Sequence, residues 1–240
     1  MQRNVIILTN GLAGSSVAAG LLADAGYWAG DATFKKSDYD TYENQELVAL
    51  NQRLMQEVGY KGNYAMVYSA DDIREITEKS LAVDPAPYRQ FIERCGQHQP
   101  WIWKDPRLWL TIRFWQRFID LDRVQFLLVT REHMQSWIST TLRRHIETPR
   151  YLYNYMDGIR DSILEFYRDN NLQHLDFVYE DLLLHPEDTI ERLNAFLDSR
   201  ISMENLKRVY RGPLYRKQRG LLDYLKANLI YFKNYSERRR

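Results

Sequence analysis

Asn4-Val5-Ile6-Ile7-Leu8-Thr9-Asn10-Gly11-Leu12-Ala13-Gly14-Ser15-Ser16 is the stretch whose reading decides the fold. Residues 4–9 are almost continuously apolar and rich in β-branched side chains, the pattern of a strand buried on both faces of a parallel sheet. A short turn rich in Gly and Ser follows, and an apolar, helix-compatible run extends from residue 17 to 25. Strand, tight glycine turn and helix together make a phosphate cradle. Backbone N–H groups of the turn and of the first helical turn converge on an anion, and the helix dipole favours negative charge there. A Walker A loop carries Lys and then Ser or Thr after its second Gly. Here Ser15 and Ser16 follow Gly14, and no Lys or Arg lies between Arg3 and Lys35. The loop suits a phosphate but lacks the cation of an ordinary ATPase loop.

Further strands are expected at 101–103, 124–130 and 175–179, each a short apolar run bounded by polar residues. Helical spacing places Leu47, Leu50, Leu54 and Val58 on one face of a helix over 46–58. Helices are also expected over 71–81, 88–95, 108–118, 134–144 and 151–168, and over 187–197 behind Pro186. Pro106 ends the strand before it, because it lacks an N–H and restricts Asp105. Strands alternating with helices predict an α/β fold with a central parallel sheet flanked by helices.

Composition bounds the rest. The chain has 240 residues, 45% hydrophobic and 27% charged, and a formal net charge of +1. That balance gives no global argument for nucleic acid or an anionic membrane, so a basic site must arise by local clustering. The single cysteine, Cys95, excludes an intramolecular disulfide and a cysteine-based metal site. No stretch approaches 18 consecutive apolar residues, so no integral membrane segment is expected, and a cytoplasmic location is. The Glu237-Arg238-Arg239-Arg240 end reads as a solvated tail, with binding of an anionic partner as the alternative.

In open α/β sheets, ligands sit beyond the carboxyl ends of the strands. Four polar clusters fall there: 11–16, 104–107, Arg131 with the serines after it, and 179–181. Arg131 can grip a phosphate through two N–H donors, and Ser139, two turns into the next helix, can converge on the same anion. Alternatively, Arg131 pairs with Glu132 or a nearby Asp, and Ser139 is a neutral helix residue. Lys104 follows two Trp-bearing strand positions and can neutralise charge in a semi-apolar site; its alternative is an ion pair with Asp105 or another acid. Glu43 and Asp105 are the candidate general bases, since a carboxylate is tuned by burial and by a neighbouring Lys. Among five His, His133 is nearest to a strand end, and an N-terminal helix position explains it equally well. Trp28 and Trp137 offer aromatic faces for a flat ring.

Taken in order, Gly11-Leu12-Ala13-Gly14-Ser15-Ser16, Trp103-Lys104-Asp105-Pro106-Arg107-Leu108, Arg131 to Ser139, and Tyr179-Glu180-Asp181-Leu182 resemble the PAPS-dependent sulfotransferases, in particular the bacterial-type branch with a K-D-P-R segment. PAPS is 3′-phosphoadenosine 5′-phosphosulfate. The resemblance implies a P-loop-like three-layer fold over residues 1–240 as a single domain, with residues 27–100 partly forming a substrate-side cap. It implies that Gly11, Ala13, Gly14, Ser15 and Ser16 hold the 5′-phosphosulfate, and that Arg131 and Ser139, eight residues apart, bind the 3′-phosphate. Arg216, in a basic run that loosely resembles the family's C-terminal segment, joins them. Lys104 and the carboxylates Glu43 and Asp105 become the catalytic set, with Glu43 in the family's acidic position within 38–54. Tyr179 is expected to pack behind the cofactor loop and Asp181 to cap the helix after it. The implied activity moves a sulfuryl group from PAPS to a hydroxyl or amine of a small-molecule, lipid or carbohydrate acceptor, leaving PAP, without a metal and without nucleic acid. The departure is Leu12, which stands where the family usually keeps Lys or Arg; Ala13 replaces the usual Ser. Two alternatives therefore stand beside the enzyme: a PAPS- or PAP-binding scaffold with weak or no catalysis, and a P-loop kinase.

Overall fold

The apolar run at the start of the chain forms β1 (Asn4–Thr9) in a computed structural model that describes residues 2–11, 13–36, 39–210 and 220–238. Its neighbours are β4 (Ile102–Lys104) on one side and β5 (Val124–Thr130) on the other, with β6 (His174–Val178) beyond β5. All three pairings are parallel. The order β4-β1-β5-β6 makes β1 the strand at which the winding reverses, and the crevice at such a switch point is where α/β sheets take ligands.

Alternation along the strands builds two cores. Ile6 and Leu8 of β1 join Trp103, Phe126 and Leu128 on one face; Val5 and Ile7 join Ile102, Leu127, Val129 and Phe177 on the other. The first face is covered by α2 (Gln45–Glu57), α3 (Ala70–Lys79), α4 (Ala86–Gln97), α5 (Leu108–Trp115) and α7 (Pro149–Asp169). The second is covered by α1 (Ser15–Asp24), α9 (Pro186–Leu197) and α10 (Met203–Val209). The result is the three-layer α/β arrangement expected from the sequence. Aromatic rings stiffen the first core: Trp103 lies 4.7 Å from Trp101, 4.9 Å from Trp115 and 5.4 Å from Phe91, measured between ring centroids.

Some elements differ from the periodicity reading. The helix expected over 108–118 stops at Trp115, and the one expected from 151 begins at Pro149, behind the capping Thr148 side chain. The strand expected at 175–179 runs one residue earlier. Asp181 does not cap a helix; it is the first residue of the short α8 (Asp181–Leu184), whose N-cap position is Glu180. An antiparallel hairpin, β2 (Thr33–Lys35) and β3 (Asp40–Asn44), occupies a stretch where no strand is expected. The remaining long helices are α6 (His133–Leu142), directly after β5, and α11 (Leu221–Lys233), which packs against it through Trp137 and Tyr231.

Candidate active site

The turn after β1 bends at its two glycines. Gly11 and Gly14 adopt φ of +81° and +71°, backbone states that L side chains rarely take. Gly14 is the N-cap of α1, a helix with no side-chain cap and no acidic residue in its first turn. Its dipole end is therefore not neutralised from within. The space behind the turn is filled. A Cβ on Gly14 would lie 2.2 Å from the Tyr179 ring, and one on Gly11 would lie 3.0 Å from the Tyr155 hydroxyl. Tyr179 thus packs behind the loop as its position in the Tyr-Glu-Asp segment predicts. Tyr155 comes from α7 and donates its hydroxyl to the Tyr64 carbonyl at 3.1 Å. Ala13 and Ser15 are buried at the turn, and Ser16 is half-exposed.

Lys104 reaches this loop from the adjacent strand. Its Nζ donates to Ser16 Oγ at 3.3 Å and to Glu43 Oε1 at 2.5 Å. The Lys104 side chain is 6% exposed and that of Glu43 18%. Partial burial of this kind shields the pair from screening. Glu43 is delivered by the hairpin. Tyr42, just before it, has a φ of +55°, its amide donates to Asp40 Oδ1 at 2.7 Å, and its ring sits against Gly20 of α1. A non-glycine residue in this conformation costs about 1–2 kcal/mol, and here it turns the chain so that Glu43 meets Lys104. Loop hydroxyl, ammonium and carboxylate, separated by 27 and 61 residues in sequence, therefore form one contiguous polar line.

Asp105 does not join that line. Its side chain is fully buried and accepts from Asn51 Nδ2 at 2.8 Å, from the Arg107 amide at 2.9 Å and from Arg107 Nη1 at 2.8 Å. Burial pushes its carboxyl above the ordinary carboxylate range, against the pull of the Arg107 guanidinium. The candidate base Asp105 is thus a buried anchor at the strand end. Asn51 is the connecting piece that residue patterns did not single out: its Oδ1 also accepts from Trp115 Nε1 at 2.7 Å. The signal available was an Asn beside Leu50 and Leu54 on the buried face of a helix. Arg107 holds Asp105 and stacks over Tyr64, 4.8 Å from the ring centroid.

Arg131 sits at the end of β5 as predicted, but it has an acidic partner. Its Nε donates to Glu180 Oε1 at 3.1 Å, and the Glu132 amide donates to Glu180 Oε2 at 3.2 Å. Arg131 also lies over Tyr179, 5.5 Å from the centroid. Glu180, not Glu132, is the acid that orients it. Ser139 is buried on α6, the helix that starts two residues after Arg131. Trp28 stacks on His98 at 4.5 Å, and Trp137 is buried, donating to the Glu147 carbonyl at 3.0 Å. His133 bonds Asp157 at 2.9 Å and stacks on Tyr153. Leu12 and Arg216 lie outside the described residues.

No protein-family model and no curated protein matches this chain. Two solved structures carry the comparison. A sulfotransferase domain from the Synechococcus PCC 7002 olefin synthase superposes with a TM-score of 0.54 at 17% identity, over 93% of this chain and 82% of that one. A sulfotransferase domain from the curacin biosynthetic pathway gives a TM-score of 0.51 at 16% identity, with the same coverage of both chains. The chain has a sulfotransferase fold. At these identities the likeness extends to backbone architecture, and the side chains of the site stand on their own geometry.

Proposed function

We propose that this protein is a PAPS-dependent sulfotransferase acting on a hydroxyl or amine of a small-molecule, lipid or carbohydrate acceptor. The observation that carries the reading is the line Ser16–Lys104–Glu43 at the switch point of a sulfotransferase-fold sheet. The loop fits the donor: two glycines in left-handed conformations bare the backbone, and the helix behind them has no internal counter-charge. Gly11, Ala13, Gly14, Ser15 and Ser16 would hold the 5′ end of PAPS, and Arg131 with Ser139 the 3′-phosphate. Bound PAPS supplies a sulfuryl group on an activated phosphate. Lys104 supplies positive charge at the loop in a site where Leu12 brings none. Glu43, adjoining that ammonium, takes the proton from the acceptor hydroxyl or amine. Tyr179 and Glu180 fix the loop and the Arg131 guanidinium from behind. Residues 27–100, which carry Glu43 and Tyr64, form the acceptor side of a single domain.

A second reading is favoured by one observation, the uncharged Leu12 in the cation position: a PAPS- or PAP-binding scaffold without efficient transfer. A P-loop kinase is disfavoured by the lack of Lys after Gly14. Calorimetric titration with PAP and with magnesium-ATP, followed by a sulfated-product assay across an acceptor panel, separates the three. The enzyme reading expects PAP binding, sulfated product, and a turnover loss of about 10²–10³-fold in Lys104→Ala with a smaller change in PAP affinity. PAP binding without product selects the scaffold. Magnesium-ATP binding without PAP binding selects the kinase.

A further inference from the structure

α11 is apolar on two opposite sides. One side packs inward, with Ala227 and Ile230 buried and Tyr231 against Trp137. The other carries Leu222, Leu225, Leu229 and Phe232 at spacings of three, four and three residues, one continuous stripe on a helix. That stripe faces solvent: Leu222 is 82% exposed, Leu229 73% and Phe232 68%. Large apolar side chains aligned in this way are not the scattered exposure normal for a surface. Lys226 and Lys233, both exposed, border the stripe along one edge, and Arg238 follows the helix. From Lys207 onward the sequence holds eleven Lys or Arg against two Asp or Glu; before it stand twenty-two against thirty. Along the sequence, the near-neutral total therefore conceals an acidic excess before residue 207 and a basic excess from there on.

We propose that the outer face of α11 docks onto an anionic lipid surface. An interfacial helix needs an apolar face to enter the headgroup boundary and basic residues beside it to meet anionic headgroups, and α11 presents both. Lys226, Lys233 and Arg238 give this end of the described structure the positive charge that a negative surface attracts. The same charges disfavour a second copy as occupant. A two-fold interface that lays the helix antiparallel against its own copy would oppose the Lys226–Lys233 edge with its own equal. Among the described residues no helix is long and apolar enough to cross a membrane, and α11 lies in the interface plane. The inference does not depend on which reaction the cleft performs.

Vesicle flotation tests it, using the whole chain with phosphatidylcholine vesicles and with phosphatidylcholine–phosphatidylglycerol vesicles. The protein floats with the anionic vesicles at low salt, stays behind with the neutral ones, and is released as salt rises. Leu222→Ser with Leu229→Ser lowers the partition coefficient by about tenfold or more per leucine. Lys226→Gln and Lys233→Gln lower it by about fivefold each. Both double variants keep the wild-type thermal transition, because the changed side chains are exposed. No binding of the wild type to anionic vesicles overturns the proposal. So does light scattering that finds a dimer which the leucine variant dissolves, since the face then belongs to a second copy. Equal binding by wild type and leucine variant overturns it as well.

Discussion

Replacing Gly14 by Ala should damage the loop by two separable routes, and a second glycine in the same chain isolates one of them. At φ +71° an alanine pays the left-handed penalty of about 1–2 kcal/mol. Its Cβ would also stand 2.2, 2.6 and 2.6 Å from three atoms of the Tyr179 ring. That ring is buried and lies beneath Arg131, so it cannot swing aside without disturbing the Arg131–Glu180 pair. Overpacking of this kind costs about 1–3 kcal/mol. The expected total is about 2–5 kcal/mol, a fall in Tm of about 5–15 °C for a chain of this size. Gly59, past the end of α2, has nearly the same φ, +72°, with nothing within 4 Å of its would-be Cβ. Gly59→Ala therefore reports the backbone cost alone, about 1–2 kcal/mol. Urea unfolding of the three proteins, with calorimetric PAP titration of each, is the assay. Equal destabilisation by the two substitutions would refute the close approach of Tyr179 to the loop. Undiminished PAP affinity in Gly14→Ala would refute the loop as the phosphate cradle.

Burial raises the Tyr27 phenol to about 12, so the folded state keeps its proton longer than the unfolded chain does. The associated stability is complete below pH 10 and is lost between pH 10 and 12, roughly 3 kcal/mol; Tyr27→Phe should flatten that alkaline limb in urea titrations at stepped pH. Its buried hydroxyl has no hydrogen-bond partner among the described residues, so the same variant should match the wild type at pH 7. Arg131→Ala should abolish PAP binding and also destabilise by about 3–5 kcal/mol, since it strands the buried Glu180. Adding Glu180→Gln should return most of the stability in urea unfolding without returning affinity in calorimetry. Asn51→Leu strands Trp115 Nε1 and Asp105 Oδ2, though Arg107 still holds Oδ1, and should lower unfolding stability by about 2–4 kcal/mol.

Where burial alone dictates an element, the sequence is enough to find it. β1 and β5 are continuous apolar runs, and α2 and α9 show clean helical faces, so their ends fall within a residue or two of expectation. The hairpin β2–β3 is different. Asp-Thr-Tyr-Glu-Asn has no apolar alternation; it is held by Thr33 to Asp40 at 2.6 Å and Thr41 to the Phe34 carbonyl at 2.7 Å. Such bonds leave no periodic trace. α11 is hidden for the opposite reason: it is apolar on two sides, which blurs the single-face pattern that marks a surface helix. α10 did leave a signal, the Ser202–Asn205 capping box. In the site, residue types at strand ends located Lys104 and Arg131 but not their partners. Glu43 is 61 residues from Lys104 and Glu180 is 49 from Arg131; the docked hairpin brings the first pair together and the parallel sheet the second.

The charge at the loop depends on strand register. Arg3 lies before β1, at the far end of a six-residue strand about 20 Å long, and Lys35 is exposed on the hairpin. Neither is placed to serve the turn. The parallel register sets Lys104 beside Ile7, two residues before the strand ends, on the face that α1 covers. That placement is what lets the ammonium meet Ser16 in the first turn of α1. A slip of one residue in β4 would bring Trp103 to that face and send Lys104 into the aromatic core of the other. The stacked rings of Trp101, Trp103, Phe91 and Trp115 oppose such a slip, because each is fitted to one side of the sheet. The aromatic core is thus what fixes the Lys104 ammonium beside the loop.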